Sequence, residues 1–300
     1  MYLKTIIIWL PLLASLANYV PLTKYHWVFE LNREFFFFYL CHHVLVLLFL
    51  WGRWRSKWVA SLLALSLTFC YGFTLRLPPL FPELFKAEGT QLALRVFPSN
   101  DKDIAQTKPT KDHYDYEIGL VFGGEGSNRG NIFIEGQREF TELPNLDPGI
   151  GVRVGRIRTV AGDITLAIVN IDVPLNKKGI YERKVMLRRI NSVFRHPFLK
   201  SDGPRIIRKK ARLNFDKEPI LLLGNFGASP FTWDVQQFWH EDNFEVTPLR
   251  WSAALGIPGK PRLFLANRGV KGIVIDSLKD QVIVSIPPDS LTQLGSETSR

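Results

Sequence analysis

The hydrophobic and polar positions divide the chain into two unlike parts at about residue 85. Three apolar runs fill the first part, at Thr5 to Val20, Glu34 to Trp51 and Trp58 to Leu75. The second and third are close to the ~20 residues a helix needs to cross the hydrocarbon core of a bilayer. The turn between them, Gly52-Arg53-Trp54-Arg55-Ser56-Lys57, is basic and carries Trp, as a cytoplasmic interfacial turn does. The first run is shorter and contains Pro11. It reads either as a spanning helix or as a signal peptide, with Lys4 as its charged start and Ser15-Leu16-Ala17 as a cleavage-like site. The pattern predicts a transmembrane region over residues 1–75, with helices at about 5–20, 34–51 and 58–75. With the basic turn inside, everything after the third run lies outside the cytoplasm. Arg76 to Phe85 contains three prolines, and residues 76–89 read as a semi-rigid linker.

Beyond the linker the apolar positions change to short runs with turn residues between them, predicting many strands and few helices. Strands are expected at Leu92 to Phe97, Ile118 to Phe122 and Asn131 to Glu135. Val152 to Thr159 and Ile164 to Ile171 are expected to pair as a hairpin across Ala161-Gly162-Asp163. Val185, Met186, Ile190 and Phe194 are spaced as on a helix over Tyr181 to Phe194. Ile220 to Leu223 is a continuous apolar run, read as a strand buried on both faces. Ser229-Pro230 then opens a helix through Val235, Phe238 and Trp239, followed by strands at Arg262 to Leu265, Gly272 to Ile275 and Gln281 to Ile286. This order predicts an α/β fold of two packed mixed sheets flanked by helices. Residues 289–300 read as a polar, frayed tail.

Charge alters the picture at one place. Of the net +10, nearly all resides between Tyr181 and Arg212, where eleven Lys or Arg face only Glu182 and Asp202. Arg183, Lys184, Arg188, Arg189, Arg205, Arg208, Lys209 and Lys210 are the candidate anion-binding residues. Anionic lipid headgroups or an acidic protein surface fit this segment better than nucleic acid does. Its only aromatics are Tyr181, Phe194 and Phe198, too few for a base-stacking platform, and a domain outside the cytoplasm does not meet the chromosome. Both cysteines, Cys41 and Cys70, lie in the apolar part, so the polar part has no thiol nucleophile and no cysteine zinc site. His42 and His43 stand inside the second run. Adjacent helical residues point about 100° apart, so both do not readily ligate one metal, and they read as neutral imidazoles bonded to neighbouring helices. Gly123-Gly124-Glu125-Gly126 lacks the Lys-Ser/Thr of a phosphate-cradling loop and reads as a turn.

The stretch Ile220 to Trp233 carries the main candidate chemistry, because a buried strand ending in a tight loop holds Asn225 at its tip. Taken in order, the landmarks resemble the endonuclease/exonuclease/phosphatase (deoxyribonuclease-I-like) superfamily, and within it a bacterial branch with three N-terminal membrane helices. Gly224-Asn225-Phe226-Gly227-Ala228-Ser229-Pro230 fits the frame of its Gly-Asp-Phe-Asn strand end. Asn170-Ile171-Asp172 with Pro174 fits its Asn-x-His piece, Leu255-Gly256-Ile257-Pro258 fits a further landmark, and a first strand ends in Asn100. The resemblance covers residues 90–288. It implies a four-layer α-β-β-α sandwich, location in a bacterial inner membrane with the domain on the extracytoplasmic side, and a divalent metal such as Mg²⁺ or Mn²⁺ in active members.

The polar identities depart from that pattern. Asp172 stands for the His of Asn-x-His, Asn225 for the Asp of Gly-Asp-Phe-Asn, and Lys279-Asp280-Gln281 for a terminal Ser-Asp-His. Asp172, Asn225 and Asp280 are therefore counterparts of catalytic positions, and Asn100 is the counterpart of a metal-binding one. General base catalysis contributes about 10²–10⁴-fold, and an amide takes no proton at neutral pH. The expectation is a catalytically inactive, membrane-anchored binding or scaffold module without cofactor. The alternative is an altered metal-dependent phosphodiesterase or phosphatase acting on lipid-linked or nucleotide phosphates.

Overall fold

The computed structural model describes residues 6, 7, 9–11, 13, 14, 27–50, 89–98, 114–122, 132–143, 151–171, 176–195, 218–228, 232–241, 243–257, 260–278 and 281–291. The expected third apolar run and nearly all of the linker lie outside these residues. Two mixed sheets form the body. The first has five strands in the order β10-β11-β1-β2-β3, made from Thr90–Pro98 (β1), Tyr116–Phe122 (β2), Ile132–Glu135 (β3), Val274–Ser277 (β10) and Gln281–Ile286 (β11). The second has six in the order β4-β5-β6-β7-β9-β8, made from Thr141–Glu142 (β4), Val152–Arg158 (β5), Asp163–Asn170 (β6), Ile220–Asn225 (β7), Glu245–Pro248 (β8) and Leu263–Arg268 (β9). β1 and β2 run parallel, as do β6 and β7, and the remaining pairs are antiparallel.

The twofold alternation of strands decides which residues meet. Ile164, Leu166 and Ile168 of β6 and Leu221 and Leu223 of β7 point into one core with Leu92, Leu94, Ile118, Leu120, Val282 and Val284 of the first sheet. Ala167, Val169, Ile220 and Leu222 point the other way, under two helices, Lys177–Arg195 (α3) and Trp233–Glu241 (α4). That double burial is why Leu166 to Val169 of β6 and Ile220 to Leu223 of β7 are apolar without interruption. Phe226, just past β7, is fully buried in this outer core, with ring centroids 6.2–6.4 Å from Phe238, Trp239 and Phe264. A four-residue helix, Trp251–Ala254 (α5), follows β8.

Most expected elements are present, with adjusted ends. The helix after the β7 loop begins at Trp233, and Ser229-Pro230 lie outside the described residues. The last strands start later than expected, at Leu263 and Val274. Asp289 to Leu291 are not frayed: Lys271 N–H donates to the Ser290 carbonyl at 2.7 Å, and Val270 bridges Leu291.

The N-terminal part departs further. Trp27–Glu34 forms a helix (α1), and a turn at Phe35 separates it from Phe36–Leu50 (α2). The expected span over 34–51 therefore starts later, and its described helix has 15 residues, about 22 Å at 1.5 Å per residue. Among the described residues no helix is long and apolar enough to cross a membrane. The turn directly follows Glu34, whose side chain reaches into the α/β body. His42 Nε2 donates to the carbonyl of Ile7 at 2.9 Å, so this imidazole bonds a neighbouring segment.

Candidate functional site

β2, β6 and β7 end, and β11 begins, at one edge of the sandwich, since Pro98 pairs with Phe122, Arg95 with Gln281 and Asn170 with Asn225. The inner row of β6 reads Leu166, Ile168, Asn170 and that of β7 reads Leu221, Leu223, Asn225, so two amides take over where the apolar rows stop. Both are buried.

Their hydrogen bonds form a relay whose direction is set at its ends. Asn170 Nδ2 donates to the carbonyl of Val121 at 2.8 Å, joining the two sheets. A carbonyl only accepts, so the oxygen of Asn170 faces Asn225, whose Nδ2 lies 3.5 Å away. At the far end the Oδ1 of Asn225 accepts two backbone N–H groups, from Gly227 at 3.2 Å and Arg262 at 3.0 Å. The main chain of Asn225 is also engaged, its carbonyl accepting from Ile171 N–H at 2.8 Å. Gly224 permits this close approach: at φ 139° it lies where side chains rarely go, and a Cβ there would run into the carbonyl oxygen of Val169.

A divalent cation takes oxygens with free lone pairs and prefers charged ones. Asn225 is neutral and both lone pairs of its oxygen accept N–H, so it does not fit such an ion in this arrangement. Replacing it with a carboxylate would set oxygen against oxygen at Asn170. Among the described residues no three His, Cys, Asp or Glu converge within reach of one metal. Asn100, Asp172 and Asp280 lie outside the described residues. Gln281, next to Asp280, accepts from Arg95 Nε at 3.1 Å and donates to Tyr114 hydroxyl at 2.8 Å.

A charged cluster lies on the other side of the same loop. Arg183, a candidate anion-binding residue of the basic segment and so expected to be accessible, occupies the inward row of α3 with Ile180, Leu187 and Ile190 and is fully buried. The expectation failed because the i, i+3, i+7 spacing places residue 183 inward whatever its charge. The anion it holds is the chain's own Glu34: Arg183 Nη1 donates to Glu34 Oε1 at 2.7 Å and to the carbonyl of Gly227 at 3.1 Å. The other Glu34 oxygen pairs with Arg262 Nη1, and all three side chains are at most 5% exposed. Burial lowers the Arg262 guanidinium to about 10, and the adjacent carboxylate acts to hold it charged; at neutral pH it is a cation. Arg188 and Arg189 are exposed on the outward face of α3 and Lys184 is half-buried, while Arg205, Arg208, Lys209 and Lys210 lie outside the described residues.

Sequence reasoning missed Asn170, Glu34 and Arg262 as members of this edge. Asn170 was legible as the polar residue at the tip of a strand that is otherwise apolar near its end. Glu34 was legible as a lone carboxylate at the head of a run that holds no other charge up to Trp51. Arg262 gave no signal, because a cation near a strand start is commonplace.

No protein-family profile matches the chain. No curated protein matches it either. Among solved structures it is similar to the endonuclease domain of TRAS1, a telomere-specific non-LTR retrotransposon. The two share 11% sequence identity with a TM-score of 0.39, over 67% of this chain and 100% of that one.

Proposed function

We propose that this chain is a membrane-anchored, catalytically silent phosphoesterase-like module that binds anions rather than cleaving esters. The observation that carries this reading is the Asn170–Asn225 relay, which commits the strand-tip amide to internal hydrogen bonds where the resembled family places a carboxylate. A neutral, saturated amide neither binds a hard cation well nor takes a proton from water. The ordered sequence landmarks support the finer likeness to a four-layer sandwich of the membrane-anchored bacterial branch. The apolar run at 58–75 and the exposed apolar side chains of α2 support anchoring, in a bacterial inner membrane with the domain on the extracytoplasmic side. The ligand class favoured by Arg188, Arg189 and the basic stretch through Lys210 is an anionic headgroup surface, to which each cation near the surface contributes about 1 kcal/mol.

The deciding experiment is a hydrolysis screen of the full chain in detergent with Mg²⁺ or Mn²⁺, over phosphomonoesters, phosphodiesters and lipid-linked phosphates, with bound metal measured alongside. Background rates are expected throughout. Turnover that disappears in Asp172→Ala would overturn the reading and favour an altered metal phosphoesterase built on Asp172 and Asp280.

A further inference from the structure

Of the sixteen exposed large hydrophobic side chains among the described residues, eleven lie between Ile6 and Leu48. Phe38, Val44, Leu45 and Leu48 of α2 are among them, on a helix with no Asp, Glu, Lys or Arg. A soluble domain rarely leaves so much contiguous apolar surface uncovered. The occupant we commit to is a lipid bilayer, because the adjoining chain adds a further 18-residue apolar run, Trp58 to Leu75, flanked by a basic, Trp-bearing turn.

The attachment of this apolar part to the α/β body is not confined to the proline-rich connection at 76–89. α1 packs against α3, and its last residue, Glu34, is held between Arg183 of α3 and Arg262 at the start of β9. Arg183 at once holds the carbonyl of Gly227, and the backbone N–H of Arg262 bonds the Asn225 side chain. The contact is therefore made on the loop that follows β7, at the strand-end edge. A buried ion pair deprived of one partner leaves an uncompensated charge, which makes the position of Glu34 specific.

We propose that Glu34 is a latch that fixes the body on its N-terminal helices by the strand-end edge, so that this edge faces the bilayer surface and the β5–β6 hairpin points away. This rests on the membrane anchoring proposed above. It narrows the ligand class of the edge to molecules presented at the membrane surface, anionic headgroups first, in preference to solutes free in bulk. The two ends of β6 are separated by about 23 Å, at ~3.3 Å per residue step, which is far enough to tell the orientations apart.

The test uses the full chain with Cys41→Ser and Cys70→Ser, carrying a single bimane label at Lys178→Cys or at Val160→Cys. Both native side chains are exposed, Lys178 at the start of α3 beside the strand ends and Val160 at the hairpin. The protein is reconstituted in phosphatidylethanolamine–phosphatidylglycerol vesicles containing a headgroup nitroxide lipid. Quenching is expected to be several-fold stronger at residue 178 than at 160, and the difference is expected to shrink in Glu34→Gln. Equal or reversed quenching in the parent chain overturns the orientation, and an undiminished difference in Glu34→Gln overturns the latch. Flotation of the same samples separates the two layers of inference. A chain that floats with the wrong quenching pattern defeats this proposal alone, whereas one that stays in the soluble fraction defeats the anchoring reading and this proposal with it.

Discussion

The two edges of the sandwich join the same pair of sheets with different chemistry. At the edge where β2 begins, the Tyr116 hydroxyl donates to the Arg158 carbonyl at 3.2 Å and accepts from the Arg158 N–H at 2.9 Å. At the edge where β2 ends, Asn170 crosses from β6 to Val121 and is itself braced by Asn225. The first edge is a self-contained structural joint, with Thr159 and Gly162 closing the adjacent hairpin. The second adds a buried carboxylate and two buried arginines within one loop of the amides. The difference teaches that burial of polar groups does not by itself mark chemistry. What distinguishes the second edge is that its polar groups come from four distant parts of the chain and include fully buried charges, costly unless they are paired, whereas the Asp115–Arg138 pair at the first edge is partly exposed.

The largest expected effect strikes that edge. Glu34→Ala leaves Arg183 and Arg262 buried without their carboxylate and should destabilise the full chain by about 3–5 kcal/mol, read by chemical denaturation. A loss below about 1 kcal/mol would show that the arginines find water or another anion, and the contrast between the edges would collapse. Next comes Asn225→Asp, expected to cost about 1–3 kcal/mol because the carboxylate cannot donate to Asn170. Added Mg²⁺ is not expected to restore the loss or to create hydrolysis. Stabilisation by the metal would mean that the edge still prefers a charged site.

At the plain edge Tyr116→Phe should cost about 1–2 kcal/mol through the lost joint. It also carries a pH signature. Burial raises the Tyr116 phenol above its usual 10.0, outweighing the lowering by its hydrogen bond from the Arg158 backbone and by the nearby Arg138 charge. The folded state then keeps the proton longer than the unfolded one. The contribution is fully present below about pH 10 and is lost as pH rises through the folded value. The stability difference between parent and Tyr116→Phe should accordingly narrow above about pH 10, and a difference constant through pH 11 would exclude this account. The smallest effect on folding is expected from Arg188→Ala with Arg189→Ala, within about 0.5 kcal/mol because both side chains are exposed. Binding to phosphatidylglycerol vesicles should nevertheless weaken by about 1 kcal/mol per residue, and unchanged binding would remove the outer face of α3 from the ligand surface.

Much of this contrast could be read before the coordinates, and what could not has a physical reason. β6 and β7 were legible because double burial demands unbroken apolar runs. Gln281 to Ile286 and the hairpin at Gly162 were legible because alternation and turn chemistry are local. Asn225 was legible as a strand tip, but its relay needed the register that sets it beside Asn170. Arg183 misled, since the charge of a residue argues for solvent while the helical period argues for burial, and only a distant Glu34 decides between them. Trp27 to Glu34 was not legible as a helix because it is only 8 residues long and lies between two apolar runs, while its packing on α3 and the pairing of Glu34 depend on distant parts of the chain.

Glu34 and Arg183 are separated by 149 positions, and Arg262 follows later still. Synthesis delivers the carboxylate first, so for most of translation it has neither cation to meet and stays hydrated. The end of α1 therefore cannot be fully paired until the chain has been made through the start of β9. The joint between the two parts cannot be complete before residue 262 has been made.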